Sequence, residues 1–278
     1  MSTGPAAPLG VPVVPSDWRW AVRDGVLVLL AALLDDAGVP HAFTTRVGGV
    51  SAPPFDTLNL GRAVGDAREA VVENRRRALG ALDRPLADHV EASQVHGAAA
   101  AVVGAADRGA KIPSVDILAT RDPSVVLAMH CADCVPVLLA DPARRAVAAV
   151  HTGWRGTAVG AAAAAVRAMV EAFACRPRDL LAAIGPAIGP CCYEVDTPVR
   201  EGFARWPWRE AVFAPRGPDR WVLDLWEANR RQVIEAGVRP EAVTTSALCT
   251  SCLAEVFFSH RRDGRTGRMA GMIAVPKR

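Results

Sequence analysis

The chain has no apolar run long enough to cross a bilayer. Its most apolar stretch, Val26–Leu34, is too short, and Gly156–Ala174 is interrupted by Arg167 and Glu171. Residues 1–18 are mostly Pro, Ala, Gly and Ser with little charge, unlike the charged and apolar regions that open a secretory leader. These absences point to a soluble, cytoplasmic protein with no membrane partner. Lysine is scarce, the net charge is only +3, and the arginines alternate with acids, which argues against a nucleic-acid-binding face. No linker, repeat or low-complexity block interrupts residues 17–278, so one domain is expected there, preceded by a disordered lead over residues 1–16.

What is present is an ordinary globular composition, 51% apolar over 278 residues. At this length roughly 75% of the unfolded surface can be buried, so neither a disulfide nor a metal is needed as a staple. The seven cysteines fall as Cys131 with Cys134, Cys191 with Cys192, Cys249 with Cys252, and Cys175 alone. In a reducing compartment they serve metal binding, catalysis or packing.

The stretch from Cys131 to Gly156 carries the clearest signal. Two short apolar runs, Val135–Ala140 and Ala146–Val150, flank a polar turn at Asp141–Arg145, the pattern of a hairpin of buried strands. Cys134 precedes the first run and His151 follows the second. Antiparallel pairing brings the start of one strand beside the end of the next, so thiol and imidazole meet at one end of the sheet.

Elsewhere, Trp18–Leu33 reads as a strand and short helix, and Asp66–Leu82 as a helix capped by Asp66. Further strands are expected at Val90–Val95, Ala101–Val103, Val115–Ala119, Val125–Met129, Leu180–Ile184 and Trp221–Leu223. Helices are expected at Ala158–Ala174, around Pro198–Trp206 and at Leu225–Ala236. The tail reads as a hairpin turning at Asp263–Gly267, with Arg268–Val275 as its last strand. Arg46, directly before Gly48-Gly49, is placed to point into a glycine-loosened loop. The sum is a mixed sheet with helices outside.

His96, Cys134 and His151 each end a predicted strand. Two imidazoles and a thiolate can hold zinc with a fourth position open for water, whose pKa then falls to about 7. Read singly, a histidine at a strand end is more often just hydrogen-bonded and a lone cysteine more often buried filler. Two rival readings use the same residues. Cys131, Cys134, Cys249 and Cys252 could form a four-cysteine structural site, and Cys134 could be a metal-free nucleophile with a histidine base and Asp133 nearby.

The motifs FTTRVGGVS, LNLGRAVGD, ENRRR, QVHG, ADCVPVLLAD, AVHTGWRGT, IGPAIGPCCYEV, LDLWEANR and CTSC…FFSHRRDGRTGRMAGMI run in this order from residue 43 to 273. Together they resemble the YfiH/laccase-domain family of purine nucleoside phosphorylases, formerly treated as polyphenol oxidases and also linked to peptidoglycan editing. The resemblance implies a single-domain α/β (α+β) sandwich of mixed β-sheets flanked by helices, and a monomer. It implies one zinc ion per chain on His96, Cys134 and His151. It implies phosphorolysis of adenosine, inosine and S-methyl-5′-thioadenosine, with adenosine deamination at the same site.

On that resemblance, the small-molecule partners are purine nucleosides and phosphate. Arg46, Arg155 and Arg261 are the motif-borne candidates for phosphate, Asn59 and Gln94 for ribose or base. Asp133 is placed to orient His96 or His151. Strand alternation puts His130, rather than Cys131, on the face of Cys134. Cys191, Cys192, Cys249 and Cys252 are assigned to packing. The alternatives within this fold are a cysteine- or zinc-dependent amidase on a peptidoglycan precursor and, more weakly, a copper polyphenol oxidase. Copper is disfavoured because electron transfer to oxygen needs several coppers and more than six histidines.

Overall fold

Val135–Asp141 and Ala146–Thr152 pair antiparallel, with His151 opposite Pro136 and Thr152 opposite Val135. Every residue of both strands is buried. Cover on both faces explains why these runs are continuously apolar rather than alternating.

The computed structural model describes residues 11–277. The first strands are β1 (Trp18–Arg23), β2 (Val26–Ala31), β3 (His41–Thr44), β4 (His89–Ala92), β5 (Ala100–Val102) and β6 (Lys111–Ile112). They are followed by β7 (Ile117–Thr120), β8 (Val126–Cys131), β9 (Val135–Asp141), β10 (Ala146–Thr152) and β11 (Leu181–Ile184). The last are β12 (Glu194–Asp196), β13 (Phe213–Gly217), β14 (Arg220–Leu223), β15 (Val243–Thr245) and β16 (Met269–Ala274). The helices are α1 (Ala32–Asp36), α2 (Arg68–Gly80), α3 (Trp154–Ala158), α4 (Ala161–Phe173), α5 (Thr197–Gly202), α6 (Arg209–Val212), α7 (Leu225–Glu235) and α8 (His260–Asp263).

One sheet runs β1-β2-β3-β16-β8-β4-β6, a second runs β15-β11-β9-β10-β7-β5, and β12-β14-β13 form a small third. The two large sheets face each other. Leu138, Ala140, Val147 and Ala149 of the hairpin meet Phe43, Leu127, Met129 and Ile273 between them. The opposite hairpin face, with Val137, Leu139, Ala148 and Val150, packs under Val166 and Met169 of α4 and Val233 of α7. On the far side, Ala78 and Leu79 of α2 cover Val28, Ala42, Ala128 and Met272. Burying each such Val, Leu or Met contributes about 1.5–3 kcal/mol relative to exposure. Helix, sheet, sheet, helix is the mixed α/β sandwich that was expected.

Four local expectations are corrected. Trp18–Leu33 is a hairpin of two strands, β1 and β2, followed by α1. Asp66 does not cap α2: its N-cap is Ala67, and Asp66 instead accepts from Ser51 Oγ at 2.6 Å and Asn59 Nδ2 at 2.8 Å. The tail is no hairpin, because β16 inserts between β3 and β8 while residues 260–263 form α8. Of the expected disordered lead, residues 1–10 lie outside the described residues. Val11 and Val14 pack on the inter-sheet core, and Trp20 Nε1 donates to Pro12 O at 2.8 Å.

Candidate active site

His96, Cys134 and His151 come together from three separate segments. Cys134 immediately precedes β9, and His151 lies near the end of β10, as the hairpin register requires. His96 sits in the loop between β4 and β5 with φ of 62°, a left-handed conformation. The sulfur and one nitrogen of each imidazole lie within 4.8 Å of one another. The two rings meet edge to face, with centroids 4.9 Å apart.

Asp116 holds this arrangement together. It directly precedes β7, which pairs with β10 so that Ile117 faces Val150. Its fully buried carboxylate accepts from the backbone N–H groups of Val95, His96 and Gly97 at 3.1, 3.0 and 2.7 Å. The same carboxylate lies 2.8 Å from His151 Nδ1. One side chain thus anchors the loop that carries one imidazole and the ring of the other. Burial opposes its charge, yet the His151 contact and the N–H groups of Gly97 and Val95 hold Asp116 below the usual carboxylate range. An ionised Asp116 requires His151 Nδ1 to be the protonated nitrogen, which leaves Nε2 free to act as a donor atom toward the centre.

Electrostatics at the centre favour a thiolate. Burial would raise the Cys134 thiol, but the charge and hydrogen bond of His151 and the hydrogen bond of His96 bring it down to about 6. Burial would lower His151, but the Cys134 thiolate and Asp116 raise it to about 9. Gly153 makes the room: a Cβ there would lie 2.9 Å from Cys134 Sγ and 3.0 Å from His96 Cδ2. The donor set, its anchoring carboxylate and this cleared space fit a metal ion bound by two nitrogens and one sulfur.

The remaining expected site residues divide into two groups. Arg155, exposed on α3, stacks on Trp154 at 4.4 Å. Arg261 stacks on Tyr193 at 4.8 Å and donates from Nη1 to Glu194 O at 2.8 Å. Both guanidinium charges act on the Tyr193 hydroxyl, as does Cys134; burial and the thiolate push that hydroxyl up, and the two arginines oppose the shift. Arg155 stands two residues beyond Gly153, which abuts Cys134 and His96, and the backbone N–H of Arg261 bonds Asp133, the neighbour of Cys134, so both arginines border the centre.

Arg46 does not join them. Its Nε and Nη2 donate to Asp56 O and Asp56 Oδ2, its Nη1 donates to Ala254 O, and its plane lies over Phe258. Asn59 is fully buried, donating to Gly61 O and Asp66 and accepting from the N–H groups of Gly61 and Arg268. Gln94 bonds both backbone groups of His130, and it borders a cavity of about 260 Å³ together with Arg62, Arg75, Lys111 and Arg268. All three are occupied in bracing the chain.

Asp133, with φ of 89°, accepts from Thr250 Oγ1 and from the backbone N–H of Arg261, each at 2.6 Å. It pins the neighbouring loops, and the orienting role expected of it falls to Asp116. His130 does not share the face of Cys134. It pairs with Glu91 at 3.3 Å and stacks near His89, and Glu91 is already bound by Arg75 at 2.7 Å. The bend at Asp133 breaks the alternation, and Cys131 is the residue whose thiol is pushed up, first by burial and then by the nearby charges of Cys134 and Asp133. Nor do Cys249 and Cys252 join Cys131 and Cys134: their sulfurs cluster with those of Cys191 and Cys192.

Three residues of the centre escaped the motif reading. Asp116 is a charged residue opening an apolar strand, a signal that was visible in Val115-Asp116-Ile117. Tyr193 is the sole tyrosine of the chain. Arg268, whose guanidinium feels the charges of Cys134, Cys131 and Asp133, lies inside the motif GRTGRMAGMI, which by itself does not say what that arginine meets.

A family model described as multi-copper polyphenol oxidoreductase laccase matches residues 40–276. The chain is 44% identical over 252 residues to a Geobacillus stearothermophilus protein named purine nucleoside phosphorylase YlmD, covering 85% of this chain and 90% of that one. It is 39% identical over 237 residues to purine nucleoside phosphorylase YfiH of Escherichia coli, covering 85% and 93%. The crystal structure of YlmD from Geobacillus stearothermophilus superposes with a TM-score of 0.88 at 40% identity, over 95% of this chain and all of that one. That of a hypothetical protein YfiH from Bacillus licheniformis gives 0.87 at 37% identity, over 92% and 98%. The chain belongs to this laccase/YfiH family.

Proposed function

We propose that the protein is a metal-dependent purine nucleoside phosphorylase whose active centre is built on His96, Cys134 and His151. Its substrates are adenosine, inosine and S-methyl-5′-thioadenosine, with adenosine deamination at the same centre. The names of the relatives support the substrate class. The observation that carries the site is the convergence of the three donor atoms within 4.8 Å, anchored through Asp116.

Zinc suits two imidazoles and a thiolate with an open fourth position, where it would supply Lewis-acid charge and lower the pKa of a coordinated water. Each other step belongs to side chains. Asp116 holds His151 in the tautomer that presents Nε2 and fixes the His96 loop by three backbone contacts. Arg155 and Arg261 bind the phosphate dianion and orient one oxygen toward the ribose C1′. As that oxygen bonds to C1′, the bond from C1′ to the purine nitrogen breaks and the base departs with its electron pair. Tyr193, kept protonated by burial, offers a hydroxyl to the substrate. One protein molecule, acting as a cytoplasmic monomer, contains every group named here.

A second reading rests on one specific observation. With a thiol lowered to about 6 beside an imidazole raised to about 9, the metal-free centre is a thiolate–imidazolium pair, the form of a cysteine nucleophile. An amidase acting on a peptidoglycan precursor would use that pair.

Chromatography of adenosine incubated with phosphate, alongside metal content, separates the two. Phosphate-dependent release of adenine and ribose 1-phosphate, lost in Cys134→Ala together with one bound metal, supports the phosphorylase. Absence of nucleoside turnover by metal-loaded protein would overturn it, and activity persisting in metal-stripped protein would favour the nucleophile.

A further inference from the structure

Cys191, Cys192, Cys249 and Cys252 lie on two loops far apart in sequence, yet their four sulfurs all fall within 4.8 Å of one another. Cys252 Sγ is 3.5 Å from Cys191 Sγ and 3.4 Å from Cys192 Sγ, and all four are free thiols. Around a zinc ion with Zn–S distances of ~2.3 Å, tetrahedral geometry places the sulfurs ~3.8 Å apart. Little movement separates the observed cluster from that geometry. Packing does not account for it, because Cys191 and Cys252 are exposed and Cys192 only partly buried.

The backbone is already arranged for thiolates. Gly189 N donates to Cys249 Sγ at 3.3 Å. A backbone N–H aimed at a sulfur neutralises part of a thiolate's charge. Gly189 can approach this closely because a side chain there would run into Trp226 at 2.7 Å.

We propose that these four cysteines form a second, structural metal site, a tetrahedral four-thiolate site that takes zinc. It is separate from the centre on Cys134 and does not depend on which reaction that centre performs. The site joins two stretches that regular structure leaves nearly unconnected. Residues 185–193 form no strand, and the isolated bridge between Ala187 and Cys249 links them to the other loop. Both loops also grip Asp133, next to Cys134: Ile188 N donates to Asp133 O at 2.9 Å, and Thr250 Oγ1 to its carboxylate at 2.6 Å. Tyr193 follows Cys192 directly. A metal on the four sulfurs therefore locks the wall of the active centre from behind. The donor set is all sulfur and has no open position, which marks a structural rather than a catalytic ion.

Cobalt substitution tests this, because thiolate-to-cobalt charge transfer reports bound sulfur directly. The Cys134→Ala protein, purified under reducing conditions and loaded with Co²⁺, retains strong charge-transfer absorption in the near ultraviolet and about one metal ion per chain. Adding Cys191→Ser and Cys252→Ser abolishes both. In the otherwise unaltered protein, the same two serine substitutions remove about one zinc and leave the metal of the His96 centre in place. Cys134→Ala protein without thiolate–cobalt absorption would overturn the proposal. So would intact-mass analysis showing a disulfide among the four cysteines in protein that holds its full metal content.

Discussion

Asp116 Oδ1 lies 2.8 Å from His151 Nδ1 and at the same time accepts the backbone N–H of His96 at 3.0 Å. One carboxylate oxygen thus couples the ring of one donor to the main chain of another. The positions of His96 and His151 are a single structural fact rather than two.

Asp116→Asn tests this coupling. The amide keeps the volume but loses the charge, and its NH₂ faces groups that are all donors. The expected outcome is a 10–100-fold loss of metal affinity and activity. Titration with zinc in a competing chelator, with circular dichroism to show a retained fold, measures it. Unchanged zinc affinity would remove Asp116 from the centre.

The arginines separate by what their donors already bind. Arg155→Ala and Arg261→Ala each raise the KM for phosphate by about 10-fold, the cost of one charge-assisted contact of ~1.5 kcal/mol. Arg46→Ala leaves the KM for phosphate unchanged and lowers the melting temperature, because its guanidinium ties Asp56 to Ala254. Initial rates at varied phosphate and a thermal melt on the three variants decide it. An Arg46 variant impaired mainly in phosphate KM would reverse the assignment.

The centre also has a chemical signature when stripped of metal. Iodoacetamide labelling of Cys134 in chelated protein is expected to follow a titration with midpoint near pH 6. Zinc added back suppresses it. Peptide mass analysis across pH 5–9 reads the midpoint, and labelling that begins only near the ordinary thiol range, about pH 8.5, would show that His151 does not pair with the thiol.

His41 predicts an acid limit to stability. Burial lowers this imidazole from 6.5 to about 4, and its neutral form is required: Nε2 accepts from Ala31 N while Nδ1 lies 2.9 Å from Val39 O. The folded pKa lies below the unfolded one, so the unfolded chain binds the extra proton in between. The contribution is complete above pH 6.5 and falls away as pH drops through about 4, a loss of about 3 kcal/mol. His89, also lowered to about 4 by burial, adds to the same window. Urea midpoints at pH 7 and pH 4.5 measure the sum, and a profile flat across that interval would contradict it.

The hairpin of β9 and β10 and the meeting of Cys134 with His151 were legible in the sequence because strand register is local: seven residues of pairing follow from two apolar runs and one turn. The strand expected over Val90–Val95 put His96 at its end, but β4 stops at Ala92 and His96 lies in the loop beyond it; the motif resemblance supplied the family, and the overall sandwich followed. The tail was misread for the opposite reason. The partners of β16 are Phe43 and Met129, more than a hundred residues earlier, and a strand edge carries no local sign of which distant strand will claim it. Arg46, Asn59 and Gln94 stand in recognisable motifs, but a motif does not say whether a donor faces substrate or a backbone carbonyl.

Sequence alone therefore determined the chemistry available here: the thiols, imidazoles and guanidinium groups, and the strands that carry them. Tertiary structure decided the partnerships. Asp116 rather than Asp133 orients His151, and Cys249 and Cys252 close on Cys191 and Cys192 rather than on Cys131 and Cys134. Hydrogen bonds and metal geometry act over a few ångströms, and only the folded chain brings residues 35 or 60 positions apart within that reach.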